Sequence, residues 1–329
     1  MVSVVAPGAK SAPTGDIDDR HDEPPGDSCG GDGGTVIEIR ALTKAYGGQR
    51  AVNELSFTAP AGKVTGFLGP NGAGKTTTFR CLLGLAAPTS GAALIDGRAY
   101  RDLMSPRHQV GAVLESTGFH PARTGRNHLR VIVRAAGFDA CRIDLLLELV
   151  GLRTASDRRV SGYSLGMRQR LALAAAMLGD PEVLVLDEPA NGLDPEGVSW
   201  IRRLMRIWAE EGRTVVVSSH LLAEVAQAVD RVVIIRDGKL VIEADLADLT
   251  ADRVTVRVDR TDPMLNALHA AGADHELRAD GAISIAGRDT AEIGGIAARA
   301  GVTVTELSRR GAAETLEAMY LAVTGPSAP

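Results

Sequence analysis

Aromatic residues, lysine and cysteine are all scarce in this chain, and no long apolar run occurs. The three cysteines, Cys29, Cys81 and Cys141, are an odd set without a Cys-x-x-Cys pair. No disulfide or zinc framework is implied by that set, which fits a reducing compartment. No stretch reaches the roughly 18 apolar residues of a spanning helix, so the chain is not expected to cross a membrane by itself. No basic segment leads into an apolar run at the start, and a secretory signal peptide is not expected. Positive charge is not in excess either. The net charge is −5, so the electrostatic footprint of a nucleic-acid binder is missing. The local pairs Arg202-Arg203 and Arg309-Arg310 read as solvated helix faces. Lysines number only five, Lys75 among them, a compositional bias that says nothing about function.

At 329 residues, the chain is too long for one ordinary core, and a large domain with a smaller companion is expected. Residues 1–34 are rich in Pro, Gly, Asp and Ser and read as a disordered tail. From Val36 short apolar runs alternate with helical stretches. Strands are expected at Val36–Arg40, Asn53–Thr58, Lys63–Leu68, Ala93–Ile95, Gln109–Leu114, Val183–Asp187, Thr214–Ser218 and Arg231–Ile235. The unbroken runs Val183–Leu186 and Val215–Val217 suit parallel strands covered on both faces. Lys75–Leu85 reads as a crossover helix. The first strands, with turns at Gly47-Gly48 and Ala61-Gly62, read as antiparallel. Between Glu115 and Ser161, helical periodicity at Leu129, Ile132 and Val133, and again at Leu145, Leu146, Leu149 and Val150, marks an inserted helical subdomain. From 251 the order reads β-α-β-β-α-β, with a hairpin across Asp280-Gly281, which is the ferredoxin-like arrangement. A last helix is expected at 313–322. The expected domains are therefore 1–34, 35–250 and 251–329.

Gly69-Pro70-Asn71-Gly72-Ala73-Gly74-Lys75-Thr76 matches the P-loop pattern in full, after an apolar strand and before a helix. Glycines let successive amide N–H groups approach an anion, and the helix N-terminus adds its positive end. ATP is the expected ligand. Lys75 would reach the β- and γ-phosphates, Thr76 would bind Mg²⁺, and Thr77 continues the cradle. A second element, Leu184-Val185-Leu186-Asp187-Glu188-Pro189, ends a buried strand in two carboxylates, which is costly unless they have chemistry to do. Successive strand residues point to opposite sides. Asp187 is accordingly expected on the metal and Glu188 on the attacking water.

A further helix start lies in Tyr163-Ser164-Leu165-Gly166-Met167-Arg168-Gln169-Arg170-Leu171. Ser164 is a good N-cap, and Met167, Leu171, Ala174 and Leu178 form an apolar stripe behind it. Taken with Tyr46, the P-loop, Asp187-Glu188, Asn191-Gly192-Leu193-Asp194 and Ser218-Ser219-His220, all in order from about Val36 to Leu249, the chain resembles the nucleotide-binding subunits of ATP-binding cassette (ABC) transporters. That resemblance implies an α/β P-loop fold with an antiparallel β subdomain and an inserted helical subdomain. It also implies roles. Tyr46 would stack on adenine. Ser164 and Gly166 would contact the γ-phosphate bound by a second copy in a head-to-tail homodimer, Asp194 would couple the two sites, and His220 would contact the γ-phosphate and hold the water.

Three positions depart from the family pattern: Leu165 stands where a glycine is usual, Met167 where a glutamine is usual, and Glu115 where a glutamine usually ends the strand Gln109–Leu114. Glu115 is expected to take over that glutamine's metal-side role. The segment Val110–Pro121 and the C-terminal stretch Glu314–Thr324 resemble the bacterial drug, bacitracin and lantibiotic exporter branch. The expected function is thus the ATPase of an exporter, working with a separate transmembrane permease at the cytoplasmic face of the membrane. The rival is a soluble ABC ATPase acting on ribosomes or DNA. It is disfavoured by the single cassette, the lack of sustained heptads and the acidic charge.

Overall fold

The computed structural model describes residues 36–114, 118–219, 227–249, 253–278 and 280–309. The expected tail at 1–34, the last helix at 313–322, Glu115 and His220 lie outside the described residues.

A hairpin opens the fold. β1 (Ile37–Tyr46) pairs antiparallel with β2 (Gln49–Ala59) around Gly47-Gly48. β3 (Val64–Leu68) leaves that sheet and feeds α1 (Lys75–Leu82). β4 (Ser90–Ile95) then returns to β1, giving a three-stranded sheet of order β2-β1-β4. After α2 (Pro106–Gln109) and β5 (Val110–Val113) come two helices of the inserted region, α3 (Gly125–Ala136) and α4 (Arg142–Leu149). The Thr124 side chain caps α3 by accepting from the Asn127 amide, and Gly137 at φ 76° ends it, the usual pair of start and stop signals. α5 (Leu165–Ala176) leads to β6 (Val183–Asp187), and α6 (Pro195–Glu210) to β7 (Thr214–Ser219). β8 (Arg231–Arg236), β9 (Lys239–Asp245) and α7 (Leu246–Leu249) follow.

The central sheet has six strands in the order β5-β6-β7-β3-β8-β9, parallel except for β9. Its strands alternate between two cores. Leu184, Leu186, Val215, Val217, Val232 and Ile234 face one. Val183, Val185, Val216, Val233, Ile235 and Phe67 face the other. Both faces are therefore dry, which is why these strands read as continuous apolar runs.

Four details depart from the expectations. β2 and β3 meet at Ala61-Gly62 but lie in different sheets, so that turn does not join an antiparallel pair. α1 stops at Leu82, because Gly84 takes φ 67° and reverses the chain, and the helix leads to β4 of the other sheet, so it does not cross over to a parallel neighbour. β9 was not expected; its alternating polar residues give a half-exposed edge strand. In α4, Leu145 and Leu149 face solvent while Ile143, Leu146 and Leu147 are buried.

The C-terminal region is built from β10 (Arg253–Val258), α8 (Thr261–Ala270), β11 (His275–Leu277), β12 (Ile283–Ala286), α9 (Thr290–Arg299) and β13 (Val304–Arg309). Its four strands form an antiparallel sheet of order β11-β12-β10-β13. Val254, Val256, Ile283, Ile285, Met264, Ile293 and Ile296 give it a core of its own.

Candidate active site

β3 and β6 are parallel and flank β7, with Leu68 level with Ser219 and Asp187 level with Ser218. The loops leaving β3 and β6 therefore open side by side. The first is the 69–74 loop. Gly74 sits at φ 105°, and a Cβ there would lie 2.4 Å from the Ala51 carbonyl oxygen of β2. Only glycine fits both the conformation and the gap. The loop is also held from below: the Gly238 amide donates to Ala73 O at 3.0 Å, and Gly238 O accepts from the Asn53 amide at 2.9 Å. The β8–β9 turn thus ties the loop to the antiparallel sheet.

Lys75 is buried. Its ammonium donates to Gly69 O at 2.6 Å and lies 3.5 Å from Glu188 Oε1. The Thr76 hydroxyl donates to Asp187 Oδ2 at 2.7 Å. Asp187 is 1% exposed, and its other oxygen accepts from Ser218 Oγ at 2.5 Å. The same Ser218 oxygen accepts from the Glu188 amide at 2.9 Å. Glu188 takes φ 50°, a left-handed conformation uncommon for a residue with a side chain and typical of functional sites.

These groups surround a cavity of about 350 Å³ lined by Pro70, Asn71, Gly72, Thr77, Glu188 and Asn191 among others. A second hollow of about 350 Å³, lined by Tyr46, Gln49, Arg50 and Asp237, shares Ala51 and Gly72 with it. Tyr46 is half-exposed, and Lys44 Nζ lies 4.7 Å from the centre of its ring. Lys44 thereby covers one face of the ring as a cation–π partner. Phosphate-sized and ring-sized spaces are therefore contiguous.

Of the described residues in the sequence-predicted set, Ser164, Gly166 and Asp194 sit outside this cavity. Ser164 caps α5 by accepting from the Met167 amide at 3.2 Å. Asp194 caps α6, accepting from the Gly197 amide at 2.8 Å. Gly166 stands on the exposed start of α5 beside Gly192 and Leu193. Sequence reasoning missed the two-way bond of Ser218 and the clamp at Gly238. The first had a signal in two serines ending an apolar strand, the second in Asp237-Gly238, a hairpin dipeptide.

Thr76 and Asp187 supply a hydroxyl and a carboxylate oxygen within hydrogen-bond distance of each other. Hard oxygen donors in that small number suit Mg²⁺, which keeps several waters and takes its other ligands from phosphate. Among the described residues no cluster of three or more His, Cys, Asp or Glu could hold a metal, so softer or all-protein sites are not offered there.

An apolar groove of about 380 Å³ lies on the far side of β5, lined by Leu85, Tyr100, Ala112, Phe119, His128 and Ala175 among others. The Phe119 and His128 rings meet edge to face at 4.8 Å. Burial, and then Arg123, pulls the His128 pKa below the usual histidine value. Phe119 is half-buried.

The ABC transporter family model matches residues 52–191, and a domain of unknown function matches residues 252–317. The bacitracin transport ATP-binding protein BcrA of Enterococcus faecalis is 41% identical over 217 residues, which span 65% of this chain and 70% of that protein. The lantibiotic transport ATP-binding protein SrtF of Streptococcus pyogenes is 36% identical over 64% of this chain and 91% of its own length. A solved ATP binding subunit of an ABC transporter superposes with a TM-score of 0.60 at 27% identity, covering 65% of this chain and 91% of that one.

Proposed function

This chain belongs to the ATP-binding proteins of ABC transporters, and we propose from that premise how its residues bind and cleave ATP and what the cleavage drives. The triphosphate lies along the 69–74 loop, with amide N–H groups and the start of α1 as its anion site. Lys75 exchanges its bond to Gly69 O for the β- and γ-phosphate oxygens. Adenine occupies the neighbouring hollow, stacked on the Tyr46 ring that lines it. Thr76 and Asp187 would hold Mg²⁺, which supplies charge neutralisation at the phosphates when bound. Glu115 and His220 keep the metal-side and γ-phosphate roles expected from the sequence.

Glu188 is the general base. Its carboxylate takes a proton from water, the water oxygen forms a bond to the γ-phosphorus, and the bond from that phosphorus to the bridging oxygen breaks to leave ADP. The single observation that carries this reading is the constellation Lys75–Glu188–Asp187–Thr76, held by Ser218 at the rim of the loop cavity. Lys75→Ala should weaken ATP binding. Glu188→Gln should bind ATP as tightly as the parent and lose about 10²- to 10⁴-fold in turnover. Isothermal titration and single-turnover phosphate release separate the two effects. Parental turnover in Glu188→Gln would remove Glu188 from the role of base.

Two copies of the chain share each ATP, with the Ser164–Gly166 start of α5 facing the γ-phosphate held by the other copy and Asp194 at the seam. The pair drives a separate transmembrane permease from the cytoplasmic face. Among the described residues no helix is long and apolar enough to cross a membrane. The names of the relatives, bacitracin and lantibiotic transport proteins, support export of an antibiotic-type peptide or similar amphiphile as the work done.

A further inference from the structure

The start of α5 and the loop from Glu188 to Asp194 meet at Leu165. Leu165 lies on Gly192: a Cβ at position 192 would fall 2.2 Å from Leu165 Cδ2 and 2.4 Å from its Cγ. Gly192 itself takes φ 78°, so the loop presents a bare, turned backbone to the leucine. Beside this contact, a Cβ at Gly166 would sit 3.3 Å from Gly192 O and 3.5 Å from Leu193 Cδ2. Within the loop, Asn191 N donates to Glu188 O at 3.1 Å and Leu193 N to Ala190 O at 3.1 Å. Asn191 and Glu188 both line the phosphate cavity. An unbroken line of contact therefore runs from the N-terminus of α5 through Leu165 and Gly192 to the residue that takes the proton.

Leu165 is also 62% exposed. A side chain that wet contributes little to the core, and its removal should leave the melting temperature nearly unchanged. Its packing on Gly192 is the contact that remains to explain an apolar residue at this end of the helix.

We propose that Leu165 is a positioning residue for hydrolysis: it ties the α5 N-terminus to the Glu188–Asp194 loop, so that an anion captured at α5 holds the base still in the same chain. This rests on the reading that α5 receives the γ-phosphate bound by a second copy. Each copy thereby acts as sensor for the other's nucleotide and as brake on its own loop.

The test uses the full-length chain with Mg-ATP and three variants: Leu165→Ala, Leu165→Met and Ser164→Arg. In Leu165→Ala, kcat should fall about tenfold with KM for ATP unchanged, since a loosened base costs geometry rather than binding. Amide exchange at Asn191 and Leu193 should quicken about tenfold in the ATP-bound state. Leu165→Met, of similar volume, should return both to within about twofold of the parent. Melting temperatures should match throughout. Parental kcat or parental exchange in Leu165→Ala, with hydrolysis lost in Ser164→Arg, would overturn the positioning role alone. Parental hydrolysis and unchanged ATP-dependent dimerisation in Ser164→Arg would instead overturn the shared site, and the positioning role with it.

Discussion

Ser218 Oγ donates to Asp187 and accepts the amide of Glu188, so a single hydroxyl fixes the side chain of one carboxylate and the backbone of the next. Ser218→Ala would leave a buried carboxylate oxygen and the Glu188 amide without this partner. A cost of about 1–3 kcal/mol in stability is expected, together with a loss in kcat that exceeds any loss in ATP affinity. Urea melts and steady-state kinetics on one preparation check both. Lys75, Thr76, Asp187 and Glu188 were legible in the sequence because each belongs to a short motif whose chemistry demands its residue type. Their mutual distances were not, since the two motifs are more than a hundred residues apart and meet only through strand order. The Lys75–Glu188 contact, at 3.5 Å, belongs to that unread class.

Elements were read well where burial is two-sided. β6 ends where the apolar run ends, at Asp187, because a strand covered on both faces buries each of its successive aliphatic residues. Reading failed where burial is one-sided. β9 carries its partly buried residues on an edge, and Leu145 and Leu149 belong to an apolar run of which only part is needed. Edge β9 is held by charge instead. Asp245 reaches Lys63 at 3.1 Å and Arg231 at 2.8 Å. The bond from Lys63, opposed by partial burial and aided by Arg231, holds the Asp245 carboxyl below its ordinary value. A depressed pKa stabilises the fold above the unfolded-state value and loses that effect as pH falls through the folded one. Asp245→Asn should therefore lower the melting point at pH 7, by the few degrees that up to about 1 kcal/mol supports for a partly exposed pair. The difference from the parent should shrink steadily below about pH 4. A difference that stayed constant from pH 7 to pH 2.5 would show that the packing at Asp245, not its charge, is what matters.

At the scale of the molecule, the helical region follows β5 in the chain and leads to α5, and the apolar groove lined by Leu85, Tyr100 and Phe119 is the face where we expect the permease of the proposed function to dock. Phe119 is a poor probe of that groove because it is half-buried against His128, so a charge there would damage the region itself. Leu85 lines the same groove and is 66% exposed. Leu85→Asp should leave ATP turnover of the isolated chain within about twofold of the parent, since no site residue is touched. It should reduce co-purification with the permease at least about tenfold, because a charge must then be desolvated in an apolar contact. Undiminished recovery of the complex would move the docking surface elsewhere. The α/β core with its inserted helices was legible from the ordered motifs and the alternation of apolar runs. The separation of β2 and β3 into two sheets was not, because a tight turn specifies a change of direction and not which neighbour the next strand will choose.

Among the described residues, three Asp-Gly pairs, Asp96-Gly97, Asp237-Gly238 and Asp280-Gly281, look interchangeable on paper. In the fold Gly97 and Gly281 are exposed, and a Cβ at either would meet nothing within 4 Å, whereas Gly238 is buried between Ala73 and Asn53. A hairpin tip of the kind protein engineers choose for grafting a tag or a reporter is thus, at 237–238, a wedge under the nucleotide loop. A short Gly-Ser insert after Gly97 should be carried silently, with parental expression and ATP affinity. The same insert after Gly238 should give a chain that folds its central sheet yet no longer retains nucleotide on a filter, and a library of random insertions selected for ATP retention should show that gap directly.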